Sequence, residues 1–185
     1  PKEPLRELPP HFQQNWVIGS QVVDGAASVF TDFHQDPQGL TRYLVFNEDL
    51  SPFQAGRTCQ RLLESDTYRI MALLGFPLAR EVWPDIHALD SELGQLMYRI
   101  SERADTTGDQ AMLDELGKLA TRIEQLRART GYRFSASRAY SEIALRRLGD
   151  LREKRWRGTS SMLKFIERRF LPAMQTCRDA DAYSE

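Results

Sequence analysis

Gly56-Arg-Thr-Cys-Gln-Arg-Leu-Leu-Glu-Ser-Asp-Thr-Tyr-Arg-Ile-Met-Ala-Leu-Leu-Gly-Phe-Pro-Leu-Ala-Arg80 divides the chain. Upstream of it, short β-branched and aromatic segments are punctuated by Gly, Asp and Pro; downstream, every apolar pattern has a helical period. The stretch itself predicts a helix from about residue 52 to 74. Ser51 is placed to cap it, and Pro52 takes the first helical position, where a missing N–H costs nothing. Cys59, Leu63, Ile70 and Leu74 form one stripe, widened by Leu62, Met71 and Leu73. Gly75-Phe-Pro77 interrupts the pattern, because Pro removes a donor and crowds the preceding turn, and Pro84 reads as the opening of the next helix.

This apolar region also carries Arg57, Arg61, Glu64, Arg69 and Arg80. Arg61 with Glu64, and Asp66 with Arg69, have the i, i+3 spacing that lets side chains pair along a helix. Exposed pairs would each contribute under about 1 kcal/mol. Buried ones must be hydrogen-bonded and would fix register more than stability. The functional alternative is an anion site built from Arg57, Arg61 and Arg69.

Working outward, residues 1–15 hold Pro1, Pro4, Pro9 and Pro10 and read as an extended lead-in. Strand patterns follow at Trp16-Val-Ile-Gly, Gln21-Val-Val-Asp-Gly, Ala27-Ser-Val-Phe-Thr-Asp-Phe33 and Leu40-Thr-Arg-Tyr-Leu-Val-Phe46. Asp36-Pro-Gln-Gly39 is a turn: Pro presets φ at its second position and Gly accepts left-handed geometry at its fourth. Leu40, Arg42, Leu44 and Phe46 take one face, and Thr41, Tyr43 and Val45 the other. The expectation is an antiparallel meander of two or three strands, too small to stand without helices to pack on.

Beyond the central stretch, Ile86, Leu89, Leu93, Leu96 and Ile100 keep the 3-4-3-4 spacing of a coiled-coil seam. A polar break at residues 105–109 precedes a matching seam of Leu116, Leu119, Ile123 and Leu126, predicted to stop at Gly131. Two such helices joined by a short loop lie antiparallel. Ser135 or Ser137 is expected to start a further helix with Tyr140, Ile143 or Ala144, Leu148 and Leu151 inward, ended by Gly158. Thr159 would cap the last helix, where Leu163, Ile166, Phe170, Met174 and Cys177 repeat at helical spacing around Pro172. The fold class is therefore α+β, mostly α: a small meander packed on a multi-helix bundle with a long helical hairpin. Residues 1–50 supply the lead-in and strands, and 51–185 the bundle, as one domain.

Composition narrows the function classes. With 41% hydrophobic and 28% charged residues the chain falls among soluble globular proteins, not disordered ones. A net charge of -1 argues against a general nucleic-acid partner. The charge is unevenly spread: nine Lys/Arg face three Asp/Glu over residues 145–172, a basic element centred on Arg152-Glu-Lys-Arg-Trp-Arg157 and read as a solvated helix end. Cys59 and Cys177 have no partner at ligand spacing, as in a reduced cytoplasmic protein. No run approaches 18 apolar residues. The chain starts without Met and stops without a helix stop signal, as a piece of a longer protein would.

Catalytic patterns are weak. His11, His34 and His87 have no second ligand at metal spacing, so no metal site is expected. Asp32 and His34 could form a hydrogen-bonded pair, but no nucleophile lies near them in sequence. No glycine-rich phosphate loop is present, and no cofactor is expected. Tyr132-Arg-Phe-Ser-Ala-Ser-Arg-Ala-Tyr140 could hold a phosphate at a helix start with Arg133 and Arg138; the alternative is a capped helix whose aromatics pack and whose arginines answer acids such as Glu64.

Several segments in fixed order carry a resemblance: Val29-Phe-Thr-Asp-Phe33, Gln54-Ala-Gly-Arg57, Gln60-Arg-Leu-Leu-Glu64, Thr67-Tyr-Arg-Ile-Met-Ala-Leu-Leu74, Pro77-Leu-Ala-Arg80, Tyr132-Arg-Phe134, Ser137-Arg-Ala-Tyr140 and Arg168-Arg-Phe-Leu-Pro-Ala-Met-Gln-Thr-Cys177. Together they resemble a bacterial family catalogued as domain of unknown function 3422. The resemblance covers nearly the whole chain. It implies a longer protein with two membrane-spanning segments after residue 185, a layout similar to CorA-type magnesium channels, and a place on the cytoplasmic side of the inner membrane. It carries over no catalytic residue. Two functions follow as expectations: a membrane-tethered domain that self-associates or regulates, with a homo-oligomer as partner; or a sensor of an anion, through Arg57, Arg61, Arg69, Arg133 and Arg138, or of a divalent cation. An enzyme is not expected.

Overall fold

The computed structural model describes residue 12, residues 16–102 and residues 109–183. The lead-in of residues 1–15, apart from Phe12 in this set, and most of the polar break at 105–109 lie outside it. The mostly helical α+β class is as expected.

Strands β1 (Ile18–Val22), β2 (Ala27–Gln35) and β3 (Thr41–Asn47) form the meander. The turn between β2 and β3 has the expected form: Gly39 has φ of 82°, and its N–H donates to Asp36 O at 2.8 Å. A fourth strand, β4 (Lys154–Arg155), pairs antiparallel with β1 and completes the order β3-β2-β1-β4. It replaces the helix end expected there. Trp156 explains the difference: its N–H donates to Gly19 O at 3.2 Å, and its ring meets Phe30 edge-on at 5.4 Å. Packing an indole on the sheet outweighs the exposure that the neighbouring basic residues favour.

β2 is bulged between Thr31 and Gln35, with Phe33 at φ of 51°. A left-handed phenylalanine is strained, and here the bulge re-aims the ring. Phe33 stacks on Phe165 at 4.7 Å, meets Tyr43 edge-on at 6.0 Å, and lies 5.1 Å beneath the Arg69 guanidinium.

Helix α1 (Pro52–Leu73) starts with Pro52 as expected, and Ser51 with Gln54 forms a capping box: Gln54 N–H donates to Ser51 Oγ at 3.3 Å, and Ser51 N–H to Gln54 Oε1 at 2.9 Å. Its inward face is not the predicted stripe. Thr58, Leu62, Asp66, Arg69 and Ala72 are buried, whereas Cys59 is exposed and Leu63 is 63% exposed. Three of these five inward positions are polar, with Thr58 bonded to Gln54 O and Asp66 to Arg69, so a count of apolar residues alone gives the wrong phase.

Only Leu74 separates α1 from α2 (Gly75–Ser101), and Pro84 lies inside α2 instead of opening it. Helix α3 (Asp109–Gly149) is 41 residues long and passes through Gly131, Ser135 and Ser137 without interruption. A glycine costs a helix interior only about 1 kcal/mol, and buried Leu126, Thr130, Phe134 and Ser137 on either side outweigh that. The helix stops at Gly149, not Gly158. Helix α4 (Met162–Tyr183) runs through Pro172 and is capped by Ser161, whose Oγ accepts Lys164 N–H at 3.3 Å. Thr159, the expected cap, donates to Gly19 O at 3.0 Å instead.

The chain divides into two compact units. Residues 1–71 with 140–172 form the first, and its core includes Val22, Val29, Phe30, Leu148, Leu151 and Met162. Residues 72–139 with 173–185 form the second, centred on Val82, Ile86, Leu96, Phe134, Met174 and Cys177. In the second unit α2 and the N-terminal part of α3 are the expected antiparallel hairpin. Glu81 pairs with Arg129, Glu92 with Arg122 and Arg99 with Glu115, so partners advance on one helix as they recede on the other. The seam residues Ile86, Leu89, Leu96, Leu119 and Leu126 are buried between those rungs.

Candidate anion site

The turn after β1 is the strained point of the first unit. Val23, Asp24 and Gly25 have φ of 51°, 58° and 99°. Positive φ suits glycine; for a β-branched valine it is an outlier, costing about 1–3 kcal/mol. The turn is held from outside, with Val23 N–H donating to Leu151 O at 2.9 Å. Arg152, just beyond the end of α3, is also left-handed at φ of 49°. Such outliers persist where the surroundings over-determine them, and they cluster at ligand sites.

These strained residues border a cavity of about 450 Å³ lined by Val23, Gln54, Arg57, Thr58, Arg61, Gly149, Asp150 and Arg152. Its size falls within the roughly 300–1,000 Å³ of small-molecule sites. α1 supplies Arg57 and Arg61 one turn apart, and the segment leaving α3 supplies Arg152. Arg61 Nη1 donates to Asp150 O at 3.0 Å, and its Nε lies 4.0 Å from Asp150 Oδ2. Asp150 also faces Arg147 Nη1 at 3.4 Å, while Arg147 Nε lies 2.5 Å from Glu64 Oε2. Arg152 Nη2 is 3.1 Å from Asp24 Oδ2. Arg57 sits 5.3 Å from the centre of the Phe53 ring, and among the described residues no carboxylate pairs with it. Four guanidinium groups thus answer three carboxylates, and the surplus charge is at Arg57. Guanidinium forks match the oxygens of phosphate or carboxylate in pairs.

The sequence candidates are therefore split. Arg57 and Arg61 meet on the cavity. Glu64 pairs with Arg147 of α3, not with Arg61. Arg69 is buried: its Nε and Nη2 reach Asp66 Oδ1 at 3.0 and 2.6 Å. Tyr43 hydrogen-bonds the same carboxylate; burial, and then the Asp66 charge, hold its phenol well above the usual value. Arg80, Arg133 and Arg138 belong to the second unit: Arg80 lies 6.0 Å over Phe76, Arg138 is 3.6 Å from Asp181, and Arg133 is partly exposed on α3. The helix start expected around Ser135 and Ser137 is a helix interior, so no orphan N–H groups are offered to a phosphate there. Asp32 Oδ1 accepts the main-chain N–H of His34 at 3.0 Å, closing the bulge. Arg152 is the cavity arginine that helical spacing does not pick out. Gly149, a glycine after the last periodic apolar residue, marks the end of α3, but no local signal sets the segment beyond it beside α1.

A larger cavity of about 870 Å³ follows the hairpin; four of its charged residues form the Arg99–Glu115 and Glu92–Arg122 pairs, and Asp114 and Lys118 line it as well, so it carries both signs of charge. Among the described residues no three His, Cys, Asp or Glu side chains group as metal ligands, and no helix is long and apolar enough to cross a membrane.

A bulged four-stranded sheet and a long helical hairpin, with an arginine-lined cavity where strand turn meets helix ends, define the class of domain. The chain belongs to the family described as protein of unknown function (DUF3422), which it matches over residues 1–185. No curated protein and no solved structure matches it.

Proposed function

We propose that the chain is an anion-sensing domain, with the cavity bounded by Arg57, Arg61 and Arg152 as its ligand site. One observation carries the reading: guanidinium groups from two separate segments line one cavity, and Arg57 has no carboxylate partner among the described residues. The ligand is a small phosphate- or carboxylate-bearing molecule, held by Arg57 and Arg152 while Asp150 keeps Arg61 in place. The strained turn at Val23–Gly25 supplies a backbone that ligand contacts can bias between two states. Within this proposal the domain stands on the cytoplasmic side of the inner membrane in a membrane-anchored bacterial protein of CorA-like layout, a role that rests on the family resemblance alone.

Titration calorimetry and thermal unfolding with inorganic phosphate, pyrophosphate and a nucleoside monophosphate test the site. At least one should raise the unfolding temperature, and Arg57→Ala should weaken its binding tenfold or more. A ligand at 100 times its Kd adds about 2.7 kcal/mol, or roughly 5–10 °C for a chain of this length. No response to any of the three, or equal binding by Arg57→Ala, would overturn the proposal.

A further inference from the structure

We infer that two copies of this chain join through the outer edge of β3, antiparallel, with Val45 opposite Val45. The sheet order leaves β3 and β4 at its edges; β4 has two residues, whereas β3 has seven. Among the described residues no strand pairs with the outer edge of β3. Proteins ordinarily blunt such an edge with Pro, charged side chains or a covering element. Thr41–Asn47 contains no Pro, and Arg42 is its one charged residue.

The ladder to β2 decides which groups point out. Glu48 N–H donates to Ala26 O at 3.0 Å, and Asp36 N–H to Leu40 O at 3.0 Å. Hydrogen bonding alternates along an antiparallel strand, so even-numbered residues of β3 turn toward β2. Thr41, Tyr43, Val45 and Asn47 therefore present N–H and C=O outward. A second β3 can dock only in registers that set odd residues against odd ones.

Side chains choose among those registers. With Val45 opposite Val45, Arg42 of each copy faces Glu48 of the other, and Leu44 faces Phe46. Arg42 and Glu48 are exposed, and Val45 and Phe46 are 37% and 39% exposed. Centring on Leu44 instead sets Arg42 against Phe46; centring on Phe46 sets Glu48 against Leu44. Only the Val45 register pairs both charges, twice by symmetry, and it closes about six main-chain hydrogen bonds through the Val45–Val45 and the two Tyr43–Asn47 pairs. Opposite charges directly across strands stabilise, and a charge set against an apolar side chain loses that.

Sedimentation equilibrium of the chain from about 1 to 200 µM tests this. The expected species at the upper end is a dimer of the 21.3 kDa chain. Val45→Pro removes an N–H that points away from β2, which an edge position tolerates, and should leave a folded monomer by circular dichroism. Arg42→Glu and Glu48→Arg should each weaken dimerisation tenfold or more, and the double swap should restore it to within about threefold. A monomer at every concentration overturns the inference. So does a dimer indifferent to both charge reversals, which would use another surface. If Val45→Pro unfolds the chain, the charge-swap pair decides alone.

Discussion

Removing the Asp66 carboxylate tests whether the arginines of α1 stabilise the fold or serve a ligand. Asp66 Oδ1 takes two bonds from Arg69, at 3.0 and 2.6 Å, and both residues are 8% exposed. Asp66→Ala leaves a buried guanidinium without its counter-charge, a change that costs about 3–5 kcal/mol. It also takes the acceptor from Tyr43, which adds about 1–3 kcal/mol. The Phe33 ring 5.1 Å from Arg69 remains and returns part of this. A net loss of about 4 kcal/mol is expected. Arg69→Met alone should cost about 3 kcal/mol, because it strands the carboxylate. The double variant Asp66→Ala/Arg69→Met should cost far less than the sum, with a coupling of about 2 kcal/mol or more, on the order seen for contacting charged pairs. Urea unfolding followed by circular dichroism, with slopes compared across the four proteins, measures the cycle. A loss below about 1 kcal/mol for Asp66→Ala, or strict additivity, would refute the claim that this pair is a buried structural unit.

Other expectations follow from the same geometry. A Cβ built on Gly75 would fall on Ser137 Oγ and 3.0 Å from Ser137 Cβ, so Gly75→Ala should lose about 1–3 kcal/mol by overpacking; Gly75→Ala/Ser137→Gly should recover most of it, and a Gly75→Ala protein as stable as the parent would contradict the packing. Burial pushes the Cys177 thiol up to about 11 from 9.0. Below pH 9 folded and unfolded chains both keep that proton; between 9 and 11 the unfolded chain sheds it first, so stability falls as pH rises. Cys177→Ala should flatten that part of the pH–stability curve by about 3 kcal/mol, and an unchanged slope would count against the burial. Ser20→Ala should cost about 2 kcal/mol by unfolding in urea, because buried Ser20 donates to Glu153 at 2.6 Å and accepts Met162 N–H at 3.1 Å; a neutral result would show that neither bond matters.

The parts of the fold that follow from local chemistry were legible. Alternation in Leu40–Phe46, the Asp36–Gly39 turn, the Ser51–Pro52 start and the antiparallel pairing of the hairpin depend on a few neighbouring residues and agree with the structure, while the seam is looser than its spacing implies at Ile100, which is exposed. The departures have more than one physical origin. Gly131 and Pro84 are local breakers whose cost is about 1–3 kcal/mol, which packing along a long helix can exceed. Gly158 lies beyond α3, because the helix already ends at Gly149. The burial phase of α1 departs from the apolar pattern because Asp66 and Arg69 hide each other's charge, which no hydropathy pattern records. Arg57 and Arg61 could be named from spacing on one helix. Arg152 could not, because its place depends on where α3 ends and on the β4 pairing beyond it.

That pairing also sets an order of events during synthesis. Ser20 on β1 and its partner Glu153 are separated by 133 positions. At roughly 5–20 residues per second, a ribosome needs about 7–27 s to deliver the second after the first. For that interval β1 is an open edge on a nascent sheet, with Ser20 unpartnered and the Gly19 carbonyl awaiting Trp156 and Thr159. Two residues, Lys154 and Arg155, end the exposure. Their smallness is deceptive: until they arrive the growing chain carries two sticky borders instead of one, and slow decoding between residues 20 and 154 would lengthen its vulnerability to chaperones, proteases and its own neighbours on the same message.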